Sequence, residues 1–212
     1  MSFSIFLSMY LILSSPLPPV DNETPRETIL FFGDSITAGL GVDPDQAFPF
    51  LIQGYIQKEN WNFKVINGGV SGETSAGGLR RVDWVLQQKV DVFVLELGGN
   101  DALRGVDVEN TKSNLQGIID RVWLKNPDTK IIIAGMQAPP NLGQTYTSKF
   151  QSIYPYLAER NKIFFIPFIL KDVGGIRELN QPDGIHPTVT GHKIVAETVW
   201  NVLKPILVSK MK

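Results

Sequence analysis

Two stretches at opposite ends of the chain hold residues that could together perform nucleophilic chemistry: Ser35 in "LFFGDSITAG", and Asp183 and His186 in "PDGIHP". Serine is a weak nucleophile at its free pKa and needs an adjacent base. The chain has two histidines. His192 lies in "PTVTGHKIVAE" at the start of the last helical segment, where a structural role is expected. His186 follows Asp183 by three residues, a spacing that lets the carboxylate fold back onto the imidazole within one turn. There it can hold the tautomer and stabilise an imidazolium. Each residue also has a plainer reading. Asp183 is a good turn former, and Ser35, straight after an apolar run, can cap a helix by accepting a bond from an unpaired N–H. Taken together the three make a candidate triad in the order Ser, Asp, His.

Such a triad needs donors aimed at the negative oxygen of a tetrahedral intermediate. Three candidates stand in polar segments that follow apolar runs. Gly72 in "VSGETS" lets a backbone N–H approach without a side chain in the way. Asn100 in "GGNDALRG" offers an uncharged side-chain N–H, and Ser35 offers its own amide at the first turn of a helix. A turn glycine and a capping asparagine are the structural alternatives. Asp34 and Asp101, beside these positions, read as scaffolding that hydrogen-bonds the loops.

The elements that must position these residues alternate along the chain. Ile-, Val- and Phe-rich runs at 28–33, 63–68, 91–98, 130–136 and 162–168 suit strands buried on both faces of a parallel sheet. Helical segments are expected near 46–59, 75–89, 108–125, 146–160 and 188–208. In the last, Ile194, Val195, Thr198, Val199, Val202, Leu203, Ile206 and Leu207 form one apolar stripe. Five strands alternating with five helices predict an α/β fold, a three-layer α/β/α sandwich around a five-stranded parallel sheet, rather than a barrel. Ligands of such sheets bind at the carboxyl ends of the strands, where all the candidate residues fall.

Four blocks, "GDSITAG", "GGVSGETSAGGL", "GGNDALRG" and "DGIHP", occur in an order and at separations that resemble the signature blocks of the SGNH (GDSL) hydrolases. The third block, and "NLGQTYTSKFQSIYPYLAE" further on, are similar to the bacterial arylesterase, acyl-CoA thioesterase I and lysophospholipase L1 branch. The resemblance runs from about Ile29 to Leu207. It implies a flavodoxin-like sandwich and acyl hydrolysis without metal or organic cofactor. It also implies Ser35 as nucleophile, His186 as base, Asp183 as its orienting acid, and Ser35, Gly72 and Asn100 as the oxyanion hole. Two departures are mild: Ile36 where many members have Leu, and Glu73 where close relatives often have Asp, which could alter how the Gly72 loop is held. The substrate is then a small-molecule ester or thioester, lysophospholipids included. An acyl pocket is expected from the loops after the third and fourth strands, including Leu103, "PPNLGQTY" and Ile185. A carbohydrate acetylesterase would use the same residues. A reading from another class, a non-catalytic module that cradles a phosphate or nucleotide in "GGVSGETSAGG", does not require the Asp183/His186 pair.

Composition narrows the partners. The 212 residues are 43% hydrophobic and 19% charged, with a net charge of -1 and no basic block, which argues against nucleic acid or an anionic membrane surface. The absence of cysteine removes disulfides, thiolate nucleophiles and cysteine-bound metals. One hydrolase domain is expected over 28–212, preceded at 1–27 by an apolar and then Pro-rich segment. Its apolar run, Phe3 to Leu13, is shorter than the ~20 residues needed to span a bilayer. The run has the length of a signal-peptide core, although no Lys or Arg precedes it. Export through this atypical leader is expected, with a disordered or docked arm on a cytoplasmic protein as the alternative.

Overall fold

The computed structural model describes residues 26–211; the apolar run and the Pro-rich stretch at the front of the chain lie outside them. Five parallel strands form one sheet: β1 (Glu27–Gly33), β2 (Phe63–Asn67), β3 (Val92–Glu96), β4 (Lys130–Ala134) and β5 (Phe164–Ile166). Their order across the sheet is β2-β1-β3-β4-β5. The three central strands carry the apolar runs of the sequence, with Glu96 closing β3. Every residue of β3 is buried, as are the last five of β1 and the last four of β4, whereas the edge strand β2 is largely half-exposed.

Successive β1 residues feed opposite layers. Phe31 meets the Phe48 ring edge-on at 5.4 Å, while Phe32 lies against Gly78. Phe48 opens α2 (Phe48–Lys58), which packs with α7 (Val189–Lys210) on one face. Gly78 belongs to α3 (Ser75–Val85), which packs on α5 (Val108–Lys125), itself followed by α6 (Gln144–Asn161), on the other. The apolar stripe foreseen on the last helix is buried at Val195, Val199, Leu203, Ile206 and Leu207. Among the described residues no helix is long and apolar enough to cross a membrane.

Two one-turn helices stand at the carboxyl ends of the central strands, α1 (Ser35–Ala38) after β1 and α4 (Gly99–Leu103) after β3. The second falls in a segment read from sequence as loop; five residues are too few to display a helical period. The helix foreseen near 75–89, α3, ends at Val85. Strand order reverses between β1 and β3, so the loops after these two strands diverge and leave a crevice between them. Ser35 and Asn100 begin on its two sides.

Candidate active site

Asp34, not Ser35, caps α1: its Oδ1 accepts the Ile36 N–H at 3.0 Å. This corrects the capping role open to Ser35 on sequence, and it has a chemical consequence. The Ser35 hydroxyl, at the first helical position, is free to point at another partner. That partner is His186, whose Nε2 lies 2.8 Å from Ser35 Oγ although 151 residues separate the two. His186 Nδ1 lies 2.6 Å from Asp183 Oδ2. The other Asp183 oxygen accepts the backbone N–H groups of Ile185 and His186 at 2.9 and 3.0 Å. The D-x-x-H spacing thus closes one compact turn. The His186 ring, by its hydrogen bond, is the main cause that holds the Asp183 carboxyl down to about 2.

The loop bearing this pair is anchored at both ends. Asn180 donates its side-chain amide to the carbonyls of Val173 and Ile176, and Thr188 caps α7 through the Gly191 N–H. Gln181 spans the gap to the serine side, with Nε2 donating to Leu40 O at 2.6 Å and Pro187 O at 3.0 Å.

Asn100 sits within α4, and its Nδ2 donates to Asp34 Oδ2 at 3.2 Å. Its side chain is therefore tied to the residue immediately before Ser35. Gly72 occupies a turn with φ of +79°, a left-handed conformation that favours glycine. Two contacts bring its loop to the same place: Gly69 passes so close to the end of α1 that a Cβ there would overlap Ala38, and Arg104 donates to Gly72 O at 3.1 Å. Burial pushes the Asp34 carboxyl up to about 6 against the hydrogen bonds from Ile36 and Asn100 that favour its charge.

Asp101 binds the Ser75 N–H at 2.8 Å, the Ser75 hydroxyl, and the Thr111 hydroxyl at 3.3 Å, so it joins α4 to the start of α3 and to α5. Both Glu73 carboxylate oxygens accept from Arg81 Nε, at 2.8 and 2.7 Å, and Oε2 also pairs with Arg81 Nη2. The same guanidinium lies 3.9 Å over the Phe32 ring and donates to the carbonyls of Gly68 and Gly33. It therefore clamps the Gly72 loop to the ends of β1 and β2. His192 stands apart, fully buried beside Phe48, whose N–H meets its Nδ1 at 3.4 Å; burial pushes its imidazole down to about 4.

Sequence reasoning missed Glu96, Arg81 and Gln181. The available signal for Glu96 was a lone acid inside the apolar run "DVFVLELG". Of the expected acyl-pocket residues, Leu103 and Ile185 are exposed. Leu142 and Tyr146 line a separate cavity of about 750 Å³ between α5 and α6, which Ser35 and His186 do not border. Among the described residues no group of three or more His, Cys, Asp or Glu side chains is arranged to hold a metal ion.

Comparison with known proteins gives this geometry a context. Esterase TesA of Pseudomonas aeruginosa is 38% identical over 186 residues, which cover 87% of this chain and 92% of that protein. The arylesterase of Vibrio mimicus is 34% identical, with 82% and 86% covered. The Escherichia coli protein named thioesterase 1/protease 1/lysophospholipase L1 is 33% identical, with 85% of each covered. The crystal structure of TesA matches with a TM-score of 0.80 over 84% of this chain and 99% of that one. Residues 31–194 match the GDSL-like lipase/acylhydrolase family. The fold, the four blocks in register and these matches agree, and the chain belongs to that family of hydrolases.

Proposed function

We propose that this chain hydrolyses carboxylic esters or thioesters of small molecules by two-step acyl transfer, with Ser35 as the nucleophile. The observation that supports this most directly is the unbroken line from Ser35 Oγ through His186 to Asp183, with bonds of 2.8 and 2.6 Å. His186 Nε2 takes the Ser35 proton as Oγ attacks the carbonyl carbon, and Asp183 holds the ring by Nδ1 and stabilises the imidazolium. The proton passes to the departing alcohol or thiol. A water, deprotonated by the same imidazole, then attacks the acyl-enzyme and releases the acid. The intermediate's oxyanion is received by the Ser35 and Gly72 amides and by the second N–H of Asn100 Nδ2, the first being held by Asp34. All of these groups lie in residues 28–212, which we read as one hydrolase domain. The names of the relatives, esterase, arylesterase and thioesterase, fit this reaction class.

The test is hydrolysis of a p-nitrophenyl ester series from acetate to palmitate, with Ser35→Ala alongside. Turnover by the wild type and its loss in the variant are expected, and the chain-length optimum then reports the depth of the acyl site. Activity that survives in Ser35→Ala, or no turnover by the wild type on any chain length, would sink the proposal.

A further inference from the structure

A four-residue helix cannot hold itself together, because its first turn fixes several dihedrals for a single hydrogen bond. The turn that carries Ser35 must therefore take its shape from outside. Glu96, the last residue of β3, is 1% exposed and stands in register with Gly33. Its Oε2 accepts two hydrogen bonds, from the Asp34 N–H at 3.2 Å and from the Thr37 hydroxyl at 2.7 Å. Residues 34 and 37 flank Ser35 on either side. The carboxyl reaches this position only because residue 33 has no side chain: a Cβ on Gly33 would overlap both Glu96 Oε2 and Thr37 Oγ1. The other oxygen, Oε1, is buried without a hydrogen-bond partner among the described residues. One acceptor atom is therefore what an acid in an otherwise apolar strand contributes here.

We propose that Glu96 is a positioning residue for Ser35: its single engaged oxygen brackets the α1 turn from both ends and keeps the Ser35 hydroxyl and amide in line for reaction. The inference rests on the ester-hydrolase reading above. It goes beyond that reading in assigning a role to a group that touches neither substrate nor triad. Burial, followed by the neighbouring charge of Asp34, pushes the Glu96 carboxyl well above the usual range, toward the neutral form. The Oε2 acceptor that receives both bonds is what Gln can imitate and Leu cannot.

The experiment compares wild type, Ser35→Ala, Glu96→Gln and Glu96→Leu on the p-nitrophenyl ester that the wild type turns over fastest, with folding checked by circular dichroism. Amide hydrogen exchange over residues 34–38 is followed in parallel. Glu96→Leu should lower kcat by about 10²-fold, the scale of an ångström-sized misplacement, with KM within about twofold of the wild type. Its α1 amides should exchange faster. Glu96→Gln should restore kcat to within about threefold of the wild type and restore the exchange protection. Loss confined to kcat, and its rescue by an isostere, are what general loosening of the core would not produce. If Glu96→Leu does not fold, Thr37→Val removes the bracket from its other end and should lower kcat about tenfold at unchanged KM. The idea is overturned if the folded apolar variant keeps kcat within about threefold, or if Glu96→Gln falls as far as Glu96→Leu. Absence of Ser35-dependent turnover in the wild type would remove the hydrolase reading and this inference with it. Turnover that depends on Ser35 but not on residue 96 removes this inference alone.

Discussion

Asn100 Nδ2 donates to Asp34 Oδ2 at 3.2 Å, so the residue directly before Ser35 aims the side chain that faces it across the switch point of the sheet. Asp34 serves two donors at once, because its Oδ1 also caps α1 at Ile36. An asparagine at position 34 has one acceptor oxygen and cannot serve both. Loss of an oxyanion donor typically costs about 10²–10³ in turnover. With Asn100 in its proposed oxyanion role, Asn100→Ala is therefore expected to lower kcat by that much, and Asp34→Asn by at least about 10². Because both act through one donor, the double variant should be within about threefold of Asn100→Ala. Multiplicative losses in the double-mutant cycle would show that Asp34 does not work through Asn100.

The same carboxyl sets an acid limit on activity. Burial pushes Asp34 up to about 6, so it gains a proton as pH falls through that value and weakens its hold on Asn100. The proposed mechanism also calls for His186 to act as the base. The acid limb of log kcat/KM against pH should therefore carry the Asp34 titration near pH 6, and Asn100→Ala, which removes the side chain that Asp34 holds, should change that limb. Asp183, held down to about 2, stays ionised throughout this range and adds nothing to the limb. Rate profiles of the wild type and Asn100→Ala from pH 4.5 to 8.5 measure this; an identical acid limb in the two proteins would exclude Asp34 from the titration.

Much of this site was legible in the sequence because its parts are local. The apolar runs of β1, β3 and β4 marked the buried strands, and the Asp183–His186 turn closes within four residues. The supports were not legible, because their partners are far apart in the chain. Glu96 finds Asp34 and Thr37 at separations of 62 and 59 residues, and Gln181 finds Leu40 at 141. Which of Asp34 and Ser35 caps α1 was equally hidden. Both are good capping types, and the choice rests on the backbone of Asp34, at φ -99°, ψ -144°, rather than on composition.

Arg81 carries the Gly72 loop through Glu73 and the Gly68 and Gly33 carbonyls, with both side chains of the ion pair mostly buried. Removing one partner of a buried pair leaves the other charge uncompensated, at a cost of about 3 kcal/mol. Arg81→Met should lower the unfolding free energy by about that amount in urea titrations. Arg81→Lys should recover only part of it, since an ammonium lacks the fork that serves Glu73 and a carbonyl together. Full recovery by lysine would mean that charge alone, not the planar clamp, holds the loop.

Gln181 joins the two halves of the proposed triad, and its effect should appear in turnover more than in stability. Its Nε2 bonds hold Leu40, just beyond the Ser35 helix, to Pro187, just beyond His186, while its own N–H donates to His186 O at 2.7 Å. Gly41, at φ +82°, leaves the space that this amide fills. Gln181→Ala removes two hydrogen bonds at a partly exposed site, for about 1–2 kcal/mol of stability, but it unties the segments that set the Ser35–His186 separation. Its kcat should fall about tenfold. Gln181→Glu keeps the shape but turns an acceptor toward two carbonyl oxygens, so it should be slower still at pH 8. If Gln181→Glu is as fast as the wild type, the amide is not what holds the base to the nucleophile.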